Sequence, residues 1–504
     1  MQPSSLYFAI FLGVVTVLYF SSPHRFRWLI LLAASFYFYI SWSPEYIFFI
    51  TLSILMNFYI GLGMDRNILP GKRRLYLIMG LVINLLPLIY FKYTAFLSDQ
   101  LDIVFSWFKF PFAFSHPNTP PPPIGISFYT FQVIAYLLDI YKGLQKSEDH
   151  IGKFALFSTF FPLQISGPIE RAKNLLPQFS KPTGFDDSNA EYGLKRIAWG
   201  VFKKIVIADR LAIYVDQVFN HPADFKVFPI ILAVVFFAFQ LYCDFSCYTD
   251  IVLGAARLLG YELSENFNKP YFSNSIQKFW NSWHISLSSW LRDYIFFPLR
   301  RRLLQQNSLP GWVVQFIPPL ITMFIIGIWH GANWTFVIWG LLHSNYLIIE
   351  NHFGPRADRY FEKLGSKIIS SLYGSFRTCL TFTLVCFGWV FFRARSISDA
   401  LLLLGNIPNL NSVYYASAVR ALDVNGFLKP FVFDGGLNQY NLLLSILLII
   451  FLLASEAWSG RADLNKNIDG LPVVLRWAFY VVATFGIVLL STDVSTRNFI
   501  YFKF

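Results

Sequence analysis

Charge is scarce in this sequence. Asp, Glu, Lys and Arg make up 14% of its 504 residues, where an ordinary soluble domain carries roughly a quarter. Cysteine is scarcer still, with four in the chain. Cys243, Cys247, Cys379 and Cys386 sit in apolar surroundings, and no Cys–His spacing suggests zinc. That argues against a disulfide framework and against a metal site, and leaves four small buried hydrophobes. No glycine-rich phosphate loop and no Gly-x-Ser-x-Gly elbow is present, which removes the two commonest motif-borne chemistries. There is no repeat of fixed period and no matching pair of broken helices in the two halves, which counts against an inverted-repeat transporter.

What fills the space is apolar. Hydrophobic residues make up 55% of the chain and aromatic ones 19%. Long runs recur throughout, at Leu6–Phe20, Leu75–Phe91, Ile230–Tyr242, Leu442–Ala454 and Trp477–Leu490. With a few flanking residues each approaches the roughly 20 needed to cross the hydrocarbon core as a helix. Backbone amides in lipid must be satisfied within the segment or in a closed barrel, and unbroken runs without alternation select helices. The expectation is an all-α, polytopic membrane protein with about eleven to thirteen spanning or re-entrant helices, judged by run length. The opening "MQPSSLYFAIFLG" lacks the basic start of a cleavable signal peptide, and "SSPHRFR" follows the first run as a stop-transfer-like flank.

The net charge of +12 is read as loop asymmetry that sets topology, with no nucleic-acid partner. Basic clusters fall at His24–Arg27, Lys72–Arg74, Lys142–Lys153, Arg300–Arg302 and around Arg356–Lys367. Loops without them, Ser41–Pro44 and the proline-rich "FKFPFAFSHPNTPPPPIG", alternate with the early clusters. This places the N-terminus outside the cytoplasm and the basic loops inside.

One multi-pass domain, 1–504, is expected, with packing helices over 1–110 and 371–504 and a core over 120–350. Within the core, residues 160–185 mix prolines, glycines and charges, so no regular spanning helix is expected there. Residues 261–302 are amphipathic and too polar to span. Helical spacing puts Trp280, His284, Leu287 and Leu291 on one face, with Asn281, Ser288 and Arg292 beside it. Such backbone at membrane depth needs the shelter of protein or a watery cavity.

Of eight histidines, His24, His116, His150, His221 and His352 sit in evident loops; His284, His330 and His343 do not. His330 follows the apolar run Met323–Trp329 and precedes the breaker Gly331. An ionisable group inside a membrane is a functional candidate by default. A neutral imidazole can take a proton from a hydroxyl as it attacks an acyl carbon, and burial keeps it neutral. Asn333 and Trp334 are candidates to orient that ring or a substrate. For His343 packing and chemistry weigh about equally. In "KFWNSWHISLSSWLRDYIFFPLRRR", Trp283, His284, Arg292 and Asp293 either wall a donor or acceptor channel or belong to an interfacial helix. Arg300–Arg302 either attract a phosphorylated donor or fix topology. Asp244 and Asp250 need buried partners, and a structural network with a basic residue such as Arg257 is expected.

Ordered blocks through nearly the whole chain resemble the membrane-bound O-acyltransferase family, in its bacterial branch that includes the alginate O-acetyltransferases. They are "PIGISFYTFQVIAYLLDIYKG", "FFPLQISGPIERAKNLLPQF", "CDFSCYTDIVLGAARLLGYELSENFNKPY", "FWNSWHISLSSWLRDYIFFPL", "GIWHGANWTFVIWGLLH" and "NFIYFKF". The resemblance implies that His330 is the essential histidine and His284 a second characteristic one, and His343 also falls on a histidine of that branch. It implies a ring of tilted helices around a thin centre pierced by a funnel. Cys247 and Ser344 stand where glycine is expected. The implied activity passes an acetyl or similar short acyl group from a cytoplasmic thioester such as acetyl-CoA to hydroxyls of an exported polysaccharide, directly or through a periplasmic SGNH-hydrolase-like partner, at the bacterial inner membrane. The thioester carries its own activation, so no bound cofactor is called for. The competing expectation is a transporter or export channel for a polysaccharide or lipid-linked sugar.

Overall fold

The computed structural model describes residues 1–108, 120–306, 308–408, 431–432, 436–458, 472–491 and 499. Most of the proline-rich loop with His116, and most of the terminal "NFIYFKF", lie outside them. Every regular element among the described residues is a helix. Seven are long and apolar enough to cross a membrane: Pro44–Arg66, Pro70–Trp107, Val227–Leu258, Gly311–His330, Lys367–Arg393, Gln439–Trp458 and Val473–Leu490. Leu6–Ser21, Ile126–Tyr141 and Ile397–Asn406 are apolar but shorter, and Trp334–Lys363 is long but ends in charged residues. These shorter and more polar helices make up the difference from the eleven to thirteen counted by run length.

Contacts divide the chain into two units. The first comprises residues 1–197, 248–266 and 284–298. Its helix Ile126–Tyr141 is buried on nearly every side, as expected of a helix apolar all round. It starts at Gly125, whose φ of +71° and contact with the Gln164 carbonyl leave no room for a Cβ. In the lipid-facing helices, polar side chains pair across the contact: Asn84 Nδ2 donates to Asn57 Oδ1 at 2.7 Å and Asn57 Nδ2 returns a bond to Asn84 Oδ1 at 3.2 Å. Such amide pairs hold neighbouring helices where the hydrophobic effect cannot. Arg196 donates to Asp250 at 3.0 Å and to Glu265. The partner anticipated for Asp250, Arg257, is instead taken by Glu262 just past the end of the same helix.

The second unit comprises residues 198–247, 267–283 and 299–504. Asp244 finds its counter-charge in Lys204, at 2.6 Å, and Lys204 also meets Asp209 at 2.9 Å, all buried. Lys203 donates to Ser246 at 2.6 Å. Both lysines lie on a π-helical segment, Lys203–Ala208, the kind of local widening that recurs at functional or strained positions. Three helices shape the rest: α1 (Gly311–His330), α2 (Trp334–Lys363) and α3 (Lys367–Arg393). His352, expected in a loop, lies on α2.

Helices α1 and α2 form a hairpin in which backbone touches backbone. A Cβ on Gly327 would stand 2.5 Å from the Phe336 carbonyl oxygen, and one on Gly340 would strike the carbonyl of Met323. Small residues are how membrane helices approach this closely.

The stretch 276–291 departs from the single amphipathic helix anticipated. It forms two short helices, Ile276–Ser282 and Ile285–Leu291, broken at Trp283–His284. His284 has φ +43°, a left-handed conformation unusual for a residue with a side chain. One helical face therefore does not carry Trp280, His284 and Leu287 together.

Replacing Gly340 with alanine is expected to cost about 1–3 kcal/mol through overpacking. Gly374→Ala, where an added Cβ meets nothing within 4 Å, should be neutral. Thermal unfolding in detergent compares them; equal midpoints for the two variants would contradict the backbone contact.

Candidate active site

His330 is the last residue of α1, and Gly331 after it is extended and closes the helix. It is buried at 5% exposure. Its ring packs edge-on against Trp329, Trp339 and Phe392, with centroids 4.9, 5.0 and 5.0 Å away. Phe336 closes over Gly331, where a Cβ would run into its ring.

His343 lies one helical turn beyond Trp339 on α2, so the two share a face. It is fully buried and boxed by Trp339 at 5.1 Å, Trp280 at 5.2 Å and Phe279 at 6.2 Å. A Cβ on Gly388 would stand 3.1 Å from its Nε2. Neither ring nitrogen of His343 meets a hydrogen-bond partner among the described residues, an expensive arrangement in a dry interior. Trp339 thus touches both histidines, and it stacks on Trp389 at 5.7 Å and 14°. Trp283 belongs to the same aromatic group, 5.2 Å from Trp389 and stacked on Phe279.

Asn333 is the N-cap of α2: its Oδ1 accepts from Thr335 N at 3.0 Å and its Nδ2 donates to the Arg395 carbonyl. The role drawn by these bonds is to hold the α1–α2 turn against the end of α3, beside His330. Trp334 is 48% exposed.

The other candidate histidine is built in the first unit. Asn266, fully buried, accepts at its Oδ1 from Ser286 N at 3.1 Å and from Ser286 Oγ at 2.9 Å. These donors fix the orientation of the amide. The His284 Nδ1, 3.1 Å from the same oxygen, must therefore be the protonated nitrogen, because an amide oxygen only accepts. That tautomer puts the lone pair of the ring on Nε2. His284 lies outside the seven spanning helices, and burial lowers its pKa to about 3, so the ring is neutral across the physiological range. Phe128 stacks beside it at 6.2 Å.

Ser286 also receives Ile169 N at 3.0 Å, tying the 160–185 segment to the histidine turn. The neighbouring Glu170 is buried and bonded to Ser264. Arg292 and Asp293 lie exposed on a π-helical segment, Arg292–Phe296, and pair with each other at 3.3 Å.

Asn266 and Trp339 were not singled out from the sequence. Trp339 was accessible through its four-residue spacing from His343. Asn266 carried no signal beyond being a polar residue in "SENFNKPY", since its partners are set by a left-handed turn that spacing does not reveal. No group of His, Cys, Asp and Glu among the described residues could hold a metal ion.

A family model described as MBOAT, membrane-bound O-acyltransferase family, matches residues 150–387, which include all three histidines. A probable alginate O-acetylase AlgI of Pseudomonas putida is 35% identical over 519 residues, covering 99% of both chains. Its counterpart in Pseudomonas aeruginosa is 37% identical over 402 residues, 79% of this chain and 72% of that one. A peptidoglycan O-acetyltransferase of Helicobacter pylori is 34% identical over 430 residues, 80% of this chain and 78% of that one.

Asn266→Ala would orphan three buried donors on His284 and Ser286. At about 1–3 kcal/mol for a buried unsatisfied group, the unfolding midpoint should fall well below that of Asn268→Ala, whose side chain is exposed. A matching midpoint for the two variants would mean that Asn266 does not lock the histidine.

Proposed function

The chain belongs to the membrane-bound O-acyltransferase family, and from that premise we propose that it moves an acetyl or similar short acyl group from a cytoplasmic thioester, acetyl-CoA or a close equivalent, to hydroxyls of an exported polysaccharide. Its relatives act on different polymers by name, an alginate in one case and a peptidoglycan in another. The acceptor class proposed here is therefore the exported glycan hydroxyl. Transfer is direct or passes through a periplasmic partner carrying its own hydrolase-like nucleophile. The export-channel alternative gives way to transferases among those relatives.

The observation that carries the reading is His330, buried at the end of a spanning helix among aromatic rings. His330 is the proposed general base: it takes the proton of the attacking hydroxyl as oxygen bonds to the acyl carbon, the carbon–sulfur bond breaks, and the proton passes to the departing thiolate. Aromatic walls of Trp329, Trp339 and Phe392 keep water, the competing nucleophile, from the thioester. His284, with its lone pair directed to Nε2 by Asn266, is the proposed second site histidine. His343 lines the site beside Trp339.

The proposed orientation follows the charge rule, with basic loops Lys72–Arg74 and Lys142–Lys153 on the cytoplasmic side of the inner membrane and the N-terminus outside. Donor and acceptor then approach from opposite faces.

His330→Ala should lower acyl transfer by about a hundredfold or more, the usual contribution of a general base, while the protein still elutes as a folded species. The assay is thioester consumption coupled to polysaccharide acylation. Wild-type acylation by this variant would overturn the assignment of His330.

A further inference from the structure

We propose that the joined end of the α2–α3 hairpin is a docking surface for acidic phospholipid headgroups, with Arg356, Arg359, Lys363 and Lys367 as their counter-charges. The inference goes beyond the acyl-transfer reading and does not rest on it.

Helix length is the first observation. α2 has 30 residues and α3 has 27, about 45 and 40 Å at helical rise, against a hydrocarbon core of roughly 30 Å. Apart from Arg393, the charged residues of both helices gather at the end where α2 passes into α3, away from His330. Charges are disfavoured in hydrocarbon, so the excess length falls at this end, and residues 350–377 reach the headgroups.

The inner face of this end is closed. Phe361 stacks on Tyr373 at 4.0 Å and 15°. Arg377 donates to Glu350 at 2.9 Å and to Asp358 at 2.5 Å, and the Tyr373 hydroxyl donates to Asp358 at 3.0 Å. Two of the three carboxylates in residues 350–377 are thus engaged by α3. The third, Glu362, is exposed, as are Arg356, Arg359, Lys363 and Lys367. None of these five side chains forms an ion pair among the described residues. With Arg377 included, five cations against three carboxylates leave the segment at +2.

The outer face is apolar. Phe353, Tyr360 and Leu364 of α2 and Ile368, Leu372 and Phe376 of α3 are each between 46% and 73% exposed. Tyr360 precedes Phe361, and Leu372 precedes Tyr373, so each stripe is turned about 100° from the helix–helix contact. The helices run antiparallel, and these two rotations bring both stripes to the same side. Arg356 and Lys363 border the stripe, three residues beyond Phe353 and Tyr360. Along α3 the face continues into the span through Leu380 and Phe387, also exposed.

Aromatic and aliphatic side chains edged by bases make a surface suited to the boundary between acyl chains and headgroups. A neutral lipid would cover the apolar face and leave the cations unanswered. An acidic soluble protein would answer the cations and leave the apolar face bare. An acidic phospholipid does both.

The test uses full-length protein in a neutral detergent, titrated with dioctanoyl phosphatidylglycerol and dioctanoyl phosphatidylcholine, which share chains and differ in headgroup charge. Native mass spectrometry counts the bound lipid. Phosphatidylglycerol should bind more tightly, and less so as salt rises. Arg356→Gln should weaken the tightest phosphatidylglycerol site about fivefold, the usual contribution of one basic residue at an anionic surface. Replacing all four cations with Gln should weaken it about a hundredfold or more and leave phosphatidylcholine binding as it was. Phe353→Ser combined with Leu372→Ser should weaken both lipids alike. The four cations are exposed and unpaired, so the charge variants should keep the wild-type unfolding midpoint. Equal affinity for the two lipids in the wild type, or an unaltered phosphatidylglycerol count in the four-cation variant, would overturn the surface. Polyglutamate binding that is lost in that variant, with no preference for phosphatidylglycerol, would assign the cations to an acidic protein and overturn it as well.

Discussion

Much of the second unit depends on the absence of two methyl groups. Without a Cβ on Gly327 or Gly340, α1 and α2 close until the carbonyls of Phe336 and Met323 fill the space a side chain would take. At that separation His330, at the end of α1, reaches Trp339 on α2, and the same indole covers His343 one turn later. In water such contacts would be gathered by hydrophobic collapse. In lipid, tails are as apolar as leucine, so geometry must do what collapse cannot.

A second demand runs through both units: no polar group can be left to the solvent when the solvent is hydrocarbon. The chain meets it in three ways. Asparagines pair across helices at Asn57 and Asn84. Charges pair at Lys204, Asp209 and Asp244. One amide, Asn266, serves three donors at once and in doing so selects the tautomer of His284. The third device links folding to chemistry most directly, because the bonds that stabilise the turn are the bonds that decide which nitrogen of the ring can accept a proton. A positive φ at His284 is the conformational cost of bringing that ring to the amide.

The sequence and the structure agree where a signal is long and one-dimensional. Apolar runs announce spanning helices, and Gly331 after an oily stretch announces that the helix ends at His330. They part where a turn intervenes. Periodicity carried from Trp280 to Leu291 assumes an unbroken helix, and the left-handed His284 breaks it, so a face that looked continuous is two. Asp250 looked toward Arg257, two turns along its own helix, but Arg196 from another helix reaches it first. Partners supplied by distant elements are not written in local spacing. The Asn266–His284 lock is of that kind.

The Lys204 cluster has a consequence for how the chain is made. Lys204 and its counter-charge Asp244 are separated by 40 positions in the chain, so the lysine pair leaves the ribosome well before the helix that carries Asp244. A segment whose lysines have not yet met their partners from later helices is disfavoured at the bilayer centre. Asp209 follows closely enough to offset one charge early, and the bond from Lys203 to Ser246 can form only later. The buried pairing of Lys204 with Asp244 can therefore be completed only after Val227–Leu258 has emerged. The order in which the chain is made thus sets the order in which these charges find their partners.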